Sequence, residues 1–382
     1  MMKKFGPVFI ASFFLSLHYG AILYVNSSLL GKFFQPNAVS LLFVVGAVGN
    51  ILLFLYAAKL IEKFGKRLLL IIFFLLVLAS TLSLALSTTG LVAAISFVIY
   101  ISVIFMLFYC LDIFLEELST DTKTGRIRGA YLTIINLGVA LGPLVLSYLT
   151  PEDGLKNVYI AVALLLIVPL LFALFSLKSK APKRHSFHHR ALLPFKLWWQ
   201  TRSLRRVTLA KLSLELFFAL MFIYMPLYLH EILGFNWSVI GLMFTVMLLP
   251  FVLFQWPLGK LADHLFGEKE FMIVGFLIIG ANLLYMPYLG VSIGAWTLIL
   301  FLSRIGASFV EITTDSYFFK HVSPSDTGFL SIFRLTRSVS LILGAVVGVV
   351  TLNLFSFEKI FFILAIAIFF GLKESLSLRD TL

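Results

Sequence analysis

The chain has 382 residues, 60% of them hydrophobic and only 13% charged, with 41 phenylalanines and a mean hydropathy of +1.04. A soluble domain carries about 45–50% apolar and about 25% charged residues, so this composition excludes a water-soluble enzyme or nucleic-acid-binding domain and makes lipid the solvent. The formal net charge of +12 forms no single patch, because lysine and arginine concentrate in alternate loops between apolar runs, which is a topology signal.

A spanning helix needs about 20 apolar residues, and twelve stretches qualify: 5–31, 39–61, 67–87, 91–117, 128–149, 156–177, 206–231, 237–261, 270–289, 293–318, 327–352 and 356–374. The runs are continuous rather than alternating, so helices are expected and not a barrel. The first follows Lys3 and Lys4 like a signal peptide, but it is too long and lacks a small-residue cleavage site, so it reads as a retained span. It carries His18 and Tyr19 near its middle and Asn26 further out. His18 fits either a titrating group or a hydrogen-bonded structural histidine.

The second span ends in a charged phrase, Ala58 to Arg67, with Lys59, Glu62, Lys63, Gly65 and Lys66. The fourth ends in Asp112, Glu116 and Glu117, natural partners for Lys63, Lys66 and Arg67. The fifth contains Gly138, Gly142 and Pro143, small residues four apart that let helices approach closely. Cys110 is the single cysteine, so no disulfide forms within the chain.

After the sixth span comes a basic break. Lys178, Lys180, Lys183, Arg184 and Arg190 lead to Trp198 and Trp199 beside Arg202, Arg205 and Arg206. It reads as a cytoplasmic linker with an amphipathic end lying on the membrane surface. The seventh span holds Lys211 and Glu215, a helical pair at spacing four. Glu215 is also a candidate proton carrier. The eighth span ends in a second charged phrase with Gly259, Asp263, His264, Gly267, Glu268 and Lys269. Asp263 stands 201 positions after Glu62 (263 − 62), so the phrase is duplicated.

The tenth span holds Arg304 and Glu311, seven residues apart on one face, with Asp315 near its inner end. Arg304 is a candidate for an anionic substrate group and Glu311 for a proton; a structural charge pair bridged by Ser308 or water fits the spacing equally. The eleventh holds Arg334 and Arg337, which with Glu215 and Glu311 suggest a charge network, and Gly344 and Gly348, which match the close-packing glycines of the fifth. Charged groups at bilayer depth cost about 2.5–3.5 kcal/mol each on insertion scales.

The duplicated phrase resembles the motif G-x-L-a-D-R-x-G-R-K of the major facilitator superfamily, on Ala58, Leu60, Glu62, Lys63, Gly65, Lys66 and Arg67, then again on Gly259, Leu261, Ala262 and Asp263. Gly138 to Pro143 resembles that family's antiporter motif G-x-x-x-G-P, without its trailing Gly-Gly. The resemblance implies an all-α integral membrane protein with twelve transmembrane helices in two six-helix bundles. These would be residues 1–177 and 206–382, joined by the linker 178–205. It also implies a monomeric secondary transporter working by alternating access around a midplane site, moving a small organic solute with protons and without a cofactor. Spans 1, 4, 7 and 10 would then line the cavity. His18, Tyr19, Glu215, Arg304, Glu311, Arg334 and Arg337 are the substrate or coupling candidates. Glu62, Gly65, Arg67, Asp112, Glu116, Gly138, Gly142, Pro143, Gly259, Asp263 and Asp315 would be gating or structural, with Glu62 reaching toward the start of span 11 near Phe329.

Charge in the loops places both termini in the cytoplasm, in a cell membrane. No phosphate-cradling Gly-rich loop and no paired-ligand metal motif occurs, so neither ATP nor a metal is expected. The partial antiporter motif leans toward export. A non-transporting sensor or docking scaffold on this fold, and a flippase for lysolipids, are the rival readings.

Overall fold

In lipid every backbone polar group must be satisfied within the chain, which long apolar segments achieve only as helices. The computed structural model describes residues 2–118, 124–149, 155–177, 193–254, 257–258, 267–322 and 327–379. Its helices are α1 (Met2–Leu23), α2 (Asn26–Gly31), α3 (Pro36–Phe64), α4 (Lys66–Ala85), α5 (Gly90–Leu118), α6 (Thr124–Leu149), α7 (Lys156–Leu165) and α8 (Ile167–Phe175). They continue with α9 (Leu193–Gln200), α10 (Arg202–Leu227), α11 (Trp237–Leu253), α12 (Gly267–Tyr285), α13 (Ile293–Lys320), α14 (Thr327–Leu354) and α15 (Lys359–Leu376).

Each of the twelve expected spans holds one of these helices or a helix pair, and the protein is an all-α membrane protein. Among the described residues nine helices are long and apolar enough to cross a membrane, and Thr133–Leu149 and Trp237–Leu253 are shorter apolar stretches. The sixth span is broken into α7 and α8 because Pro169 has no N–H to continue the ladder. At the break the Leu166 N–H bonds the carbonyl of Ala163, three residues back. The seventh span keeps its helical course past Pro226 and ends in a π-helical turn, Tyr228–Ile232.

By contact the chain forms two compact units, Met1–Ser186 with Leu229–Thr245, and Phe187–Tyr228 with Val246–Leu382. In the first unit α1 and α6 cross at glycine. A Cβ on Gly142 would lie 2.4 Å from the backbone of Gly20 and Ala21, and one on Gly138 would lie 2.7 Å from the Phe13 carbonyl and the Ser16 side chain. Gly20 meets the Val139 backbone in the same way, at 2.4 Å. The G-x-x-x-G spacing is thus a backbone-on-backbone seam. In the second unit Gly344 faces Ala219 and Gly348 faces the Tyr224 ring, so α14 also approaches α10 at glycine, here against side chains.

The duplication is visible in the turns. Gly65 (φ 76°) just before α4 and Gly267 (φ 72°), the first residue of α12, are two of the positive-φ glycines among the described residues. They stand 202 positions apart (267 − 65), and only glycine takes that conformation without strain.

Candidate functional site

The densest group of charged side chains among the described residues lies in the second unit, between α10 and α13. Each helix presents two charged residues one turn apart: Lys211 and Glu215 on α10, Glu311 and Asp315 on α13. Two acids four apart on one helix repel. Here the Lys211 ammonium is inserted against both, 3.1 Å from Asp315 and 3.9 Å from Glu311, with Glu215 at 3.7 Å. The Lys211 side chain is 8% exposed, whereas Glu215, Glu311 and Asp315 are 12%, 29% and 40% exposed. The cation is the buried hub and the acids open progressively outward. Three carboxylates against one ammonium leave a formal −2 (1 − 3), which Arg337 on α14 offsets in part through its attraction to Glu311. Phe333 places its ring 5.8 Å from the Lys211 nitrogen.

This arrangement adds a partner that spacing along α13 did not offer. Glu311 lies 3.9 Å from Lys211, and Ser308 donates to the Ile305 carbonyl. Arg304 is 1% exposed, and its guanidinium lies 4.6 Å from the Phe217 ring and 5.6 Å from Phe218. That is a cation–π seat of the kind arginine favours. Asp315, expected to be a gating residue of the inner end, makes the shortest contact to Lys211. Arg334 and Arg337 are exposed along α14. Spacing along one helix revealed Lys211 only as a partner for Glu215; its role as a hub depends on the register of α13 against α10, which no single-helix pattern encodes.

His18 and Tyr19 belong to the first unit. His18 is fully buried, and its Nδ1 lies 2.9 Å from the Val162 carbonyl. A carbonyl only accepts, so Nδ1 carries the proton. This bond has a local cause: the Leu166 N–H bonds Ala163 rather than Val162 at the break between α7 and α8. The imidazole supplies a donor there, which fits the structural alternative for His18. Nearby, Tyr159 donates to the Asn26 side chain at 2.7 Å. Tyr19 packs edge-on against Phe105 and Phe108.

Of the gating candidates, Gly138, Gly142 and Gly65 have the packing and turn roles described above, and Pro143 sits inside α6. Arg67 donates to the carbonyls of Ala173 and Leu174, near the C-terminal end of α8. A cation is favourable there because the macrodipole and unsatisfied carbonyls converge. The side chains of Glu62 and Glu116 lie outside the described residues, as do Gly259 and Asp263. Phe329 packs against a core of Leu204, Val207, Met272, Tyr317, Phe318, Phe333 and Leu378.

One pair escaped the sequence reading. Glu268 is fully buried, 2.5 Å from the Lys320 ammonium, and accepts a hydrogen bond from Ser316 at 2.8 Å. The signal was present: Glu268 follows Gly267 where Lys66 follows Gly65, and Lys320 stands 203 positions after Glu117 (320 − 117). The two copies thus carry opposite signs at both positions. Lys66 is itself buried, its ammonium 4.4 Å from the Phe114 ring.

The family model described as Major Facilitator Superfamily matches residues 8–330 and 238–373. An uncharacterised MFS-type transporter of Enterobacter sp. (strain 638) is 30% identical over 153 residues, which is 38% of this chain and 36% of that protein, so the match spans about a third of the relative's length. The crystal structure of a mutant of the nucleoside transporter NupG superposes with a TM-score of 0.77 at 16% identity, over 98% of this chain and 99% of that one. The likeness to NupG carries the fold, while the family model spans nearly the whole chain: the protein is a member of the Major Facilitator Superfamily.

Proposed function

We propose that the protein is a secondary transporter that moves a small organic solute across a cell membrane by alternating access, coupled to protons. The observation that carries the coupling is the Lys211 cluster. Three acids share one buried ammonium, and the surplus carboxylate is relieved by taking up a proton or by a rearrangement of partners. Charged groups are retained at such depth mainly where they work. Glu311 is the proton carrier in this reading, since it is partly exposed and touched by both Lys211 and the field of Arg337. Lys211 is the fixed countercharge and Asp315 its tightest partner. The seat of Arg304 under Phe217 and Phe218 supports bracing of α13 on α10 rather than a direct grip on cargo. The G-x-x-x-G-P stretch of α6 supports export in exchange for protons, with both termini in the cytoplasm.

The test is flux in proteoliposomes under an imposed pH gradient, with cargo chosen by thermal-shift screening, since a bound ligand stabilises the native state. Glu311→Gln is expected to abolish the pH dependence of flux while leaving the protein folded. An unchanged pH profile in that variant would sink the assignment of Glu311. Absence of flux of every stabilising ligand, under any gradient, would favour a sensor or scaffold role instead.

A further inference from the structure

The short helix α9 stands at the head of the seventh span and is docked by one side. Trp198 packs against the core of the second unit, and its indole N–H donates to the Thr208 hydroxyl at 3.1 Å. Side chains advance by about 100° per residue, so Lys196 and Gln200 lie nearly opposite Trp198, and both are exposed. Phe195 and Trp199, one turn apart on one flank, are 45% and 60% exposed. The corner into α10 is braced. Arg205 donates to the Trp199 carbonyl at 2.6 Å and lies 5.1 Å from its ring, and the Thr201 hydroxyl donates to the Leu197 carbonyl at 2.9 Å. Arg205 has five N–H donors, and one bond to a carbonyl leaves most of them for a ligand. Arg202 is exposed beside it.

We propose that α9 and the first turns of α10 form a docking surface for an anionic phospholipid. Lys196, Arg202 and Arg205 would take the phosphate, and Phe195 and Trp199 would enter the acyl boundary. Three features favour that occupant. Lys196 and the exposed aromatic flank sit on one short helix, with Arg202 and Arg205 on the first turn of α10 beside it, which is the amphipathic pattern of interfacial segments. They stand where the chain enters a membrane span, the level at which tryptophan collects. No acidic side chain lies anywhere from residue 193 to residue 210, so the surface is complementary to an anion.

The test uses the full-length protein in detergent, with thermal unfolding read against added dioctanoyl phosphatidylglycerol or dioctanoyl phosphatidylcholine. The anionic lipid is expected to raise the unfolding midpoint and the zwitterionic lipid to leave it in place. Basic residues at a membrane surface contribute about 1 kcal/mol each, a factor of about five in affinity. Lys196→Gln with Arg202→Gln should therefore weaken the phosphatidylglycerol response by about 25-fold while the midpoint without lipid stays unchanged. Trp199→Ser should weaken it further through the acyl contact. Equal stabilisation by the two lipids, an undiminished response in the double variant, or the same effect from glycerol 3-phosphate alone would each overturn the proposal. None of these readouts depends on transport, so this surface and the coupling site stand or fall separately.

Discussion

Replacing Lys211 with methionine keeps the apolar stem and removes the charge around which α10 and α13 are arranged. At an effective dielectric of about 20, each contact near 4 Å is worth about 4 kcal/mol before desolvation is subtracted. Removing one partner from a buried pair typically costs about 3–5 kcal/mol, because the other charge is stranded. Here the stranded acids are partly open, Glu311 at 29% and Asp315 at 40%, so water recovers part of that loss, and the expected cost is about 2 kcal/mol. For a unit of this size that lowers the unfolding midpoint by roughly 4–8 °C. Glu311→Gln alone removes the surplus acid and should change stability by less than about 1 kcal/mol. Combined with Lys211→Met, it should recover at least about 1 kcal/mol relative to additivity. Thermal unfolding can be followed by tryptophan fluorescence, because Trp296 is buried in the same unit. If the two substitutions add without interaction, Lys211 and Glu311 do not share one electrostatic site and the coupling assignment fails.

Other expectations are simpler. Gly142→Ala puts a methyl group into backbone and should cost at least about 1–3 kcal/mol. Gly344→Ala meets only side chains, at 3.1 Å and beyond, and should cost under about 1 kcal/mol; equal midpoints for the two would refute the backbone seam. His18→Phe strands the Val162 carbonyl at a cost of about 1–3 kcal/mol, whereas His18→Asn keeps a short donor. If His18→Asn alters the pH profile of flux more than His18→Phe alters stability, the histidine is a titrating group and not a brace. Lys320→Met should cost about 2 kcal/mol, since its side chain is 39% exposed while that of Glu268 is fully buried. Adding Glu268→Met should restore most of the loss in a thermal melt.

The spans were legible because about 20 apolar residues in a row have few alternatives to a membrane helix. Their offsets near 202 exposed the duplication, which the positive-φ turns at Gly65 and Gly267 repeat. Pairing across helices was legible in part: the charges of the seventh, tenth and eleventh spans suggested a network, and Glu215, Glu311 and Arg337 do interact. Lys211 and Glu215 declare themselves by spacing, but that Asp315 and Glu311 meet Lys211 depends on the packing of α13 on α10. The carbonyl contacts of Arg67 were hidden for a related reason: they are main-chain groups at the end of α8, and carbonyls leave no mark in a sequence. His18 likewise answers a break in the ladder of α7, set by Pro169 seven residues beyond Val162.

The glycine seam between α1 and α6 has a mechanical consequence. Where side chains separate two helices, rotamer changes absorb small displacements, and one helix slides while its neighbour stays. At Gly20 and Gly142 the facing atoms are main chain, and at Gly138 the one side-chain atom is the Cβ of Ser16, which no rotamer change moves. The two helices therefore behave as one stiff beam, and a push on the Phe13–Ala21 stretch of α1 is delivered to α6 undamped. The matching contact in the second unit has a Tyr224 ring lying on Gly348, which acts as a compliant bearing. Of these two glycine contacts, that of α1 on α6 is the rigid one and that of α14 on α10 the one with play.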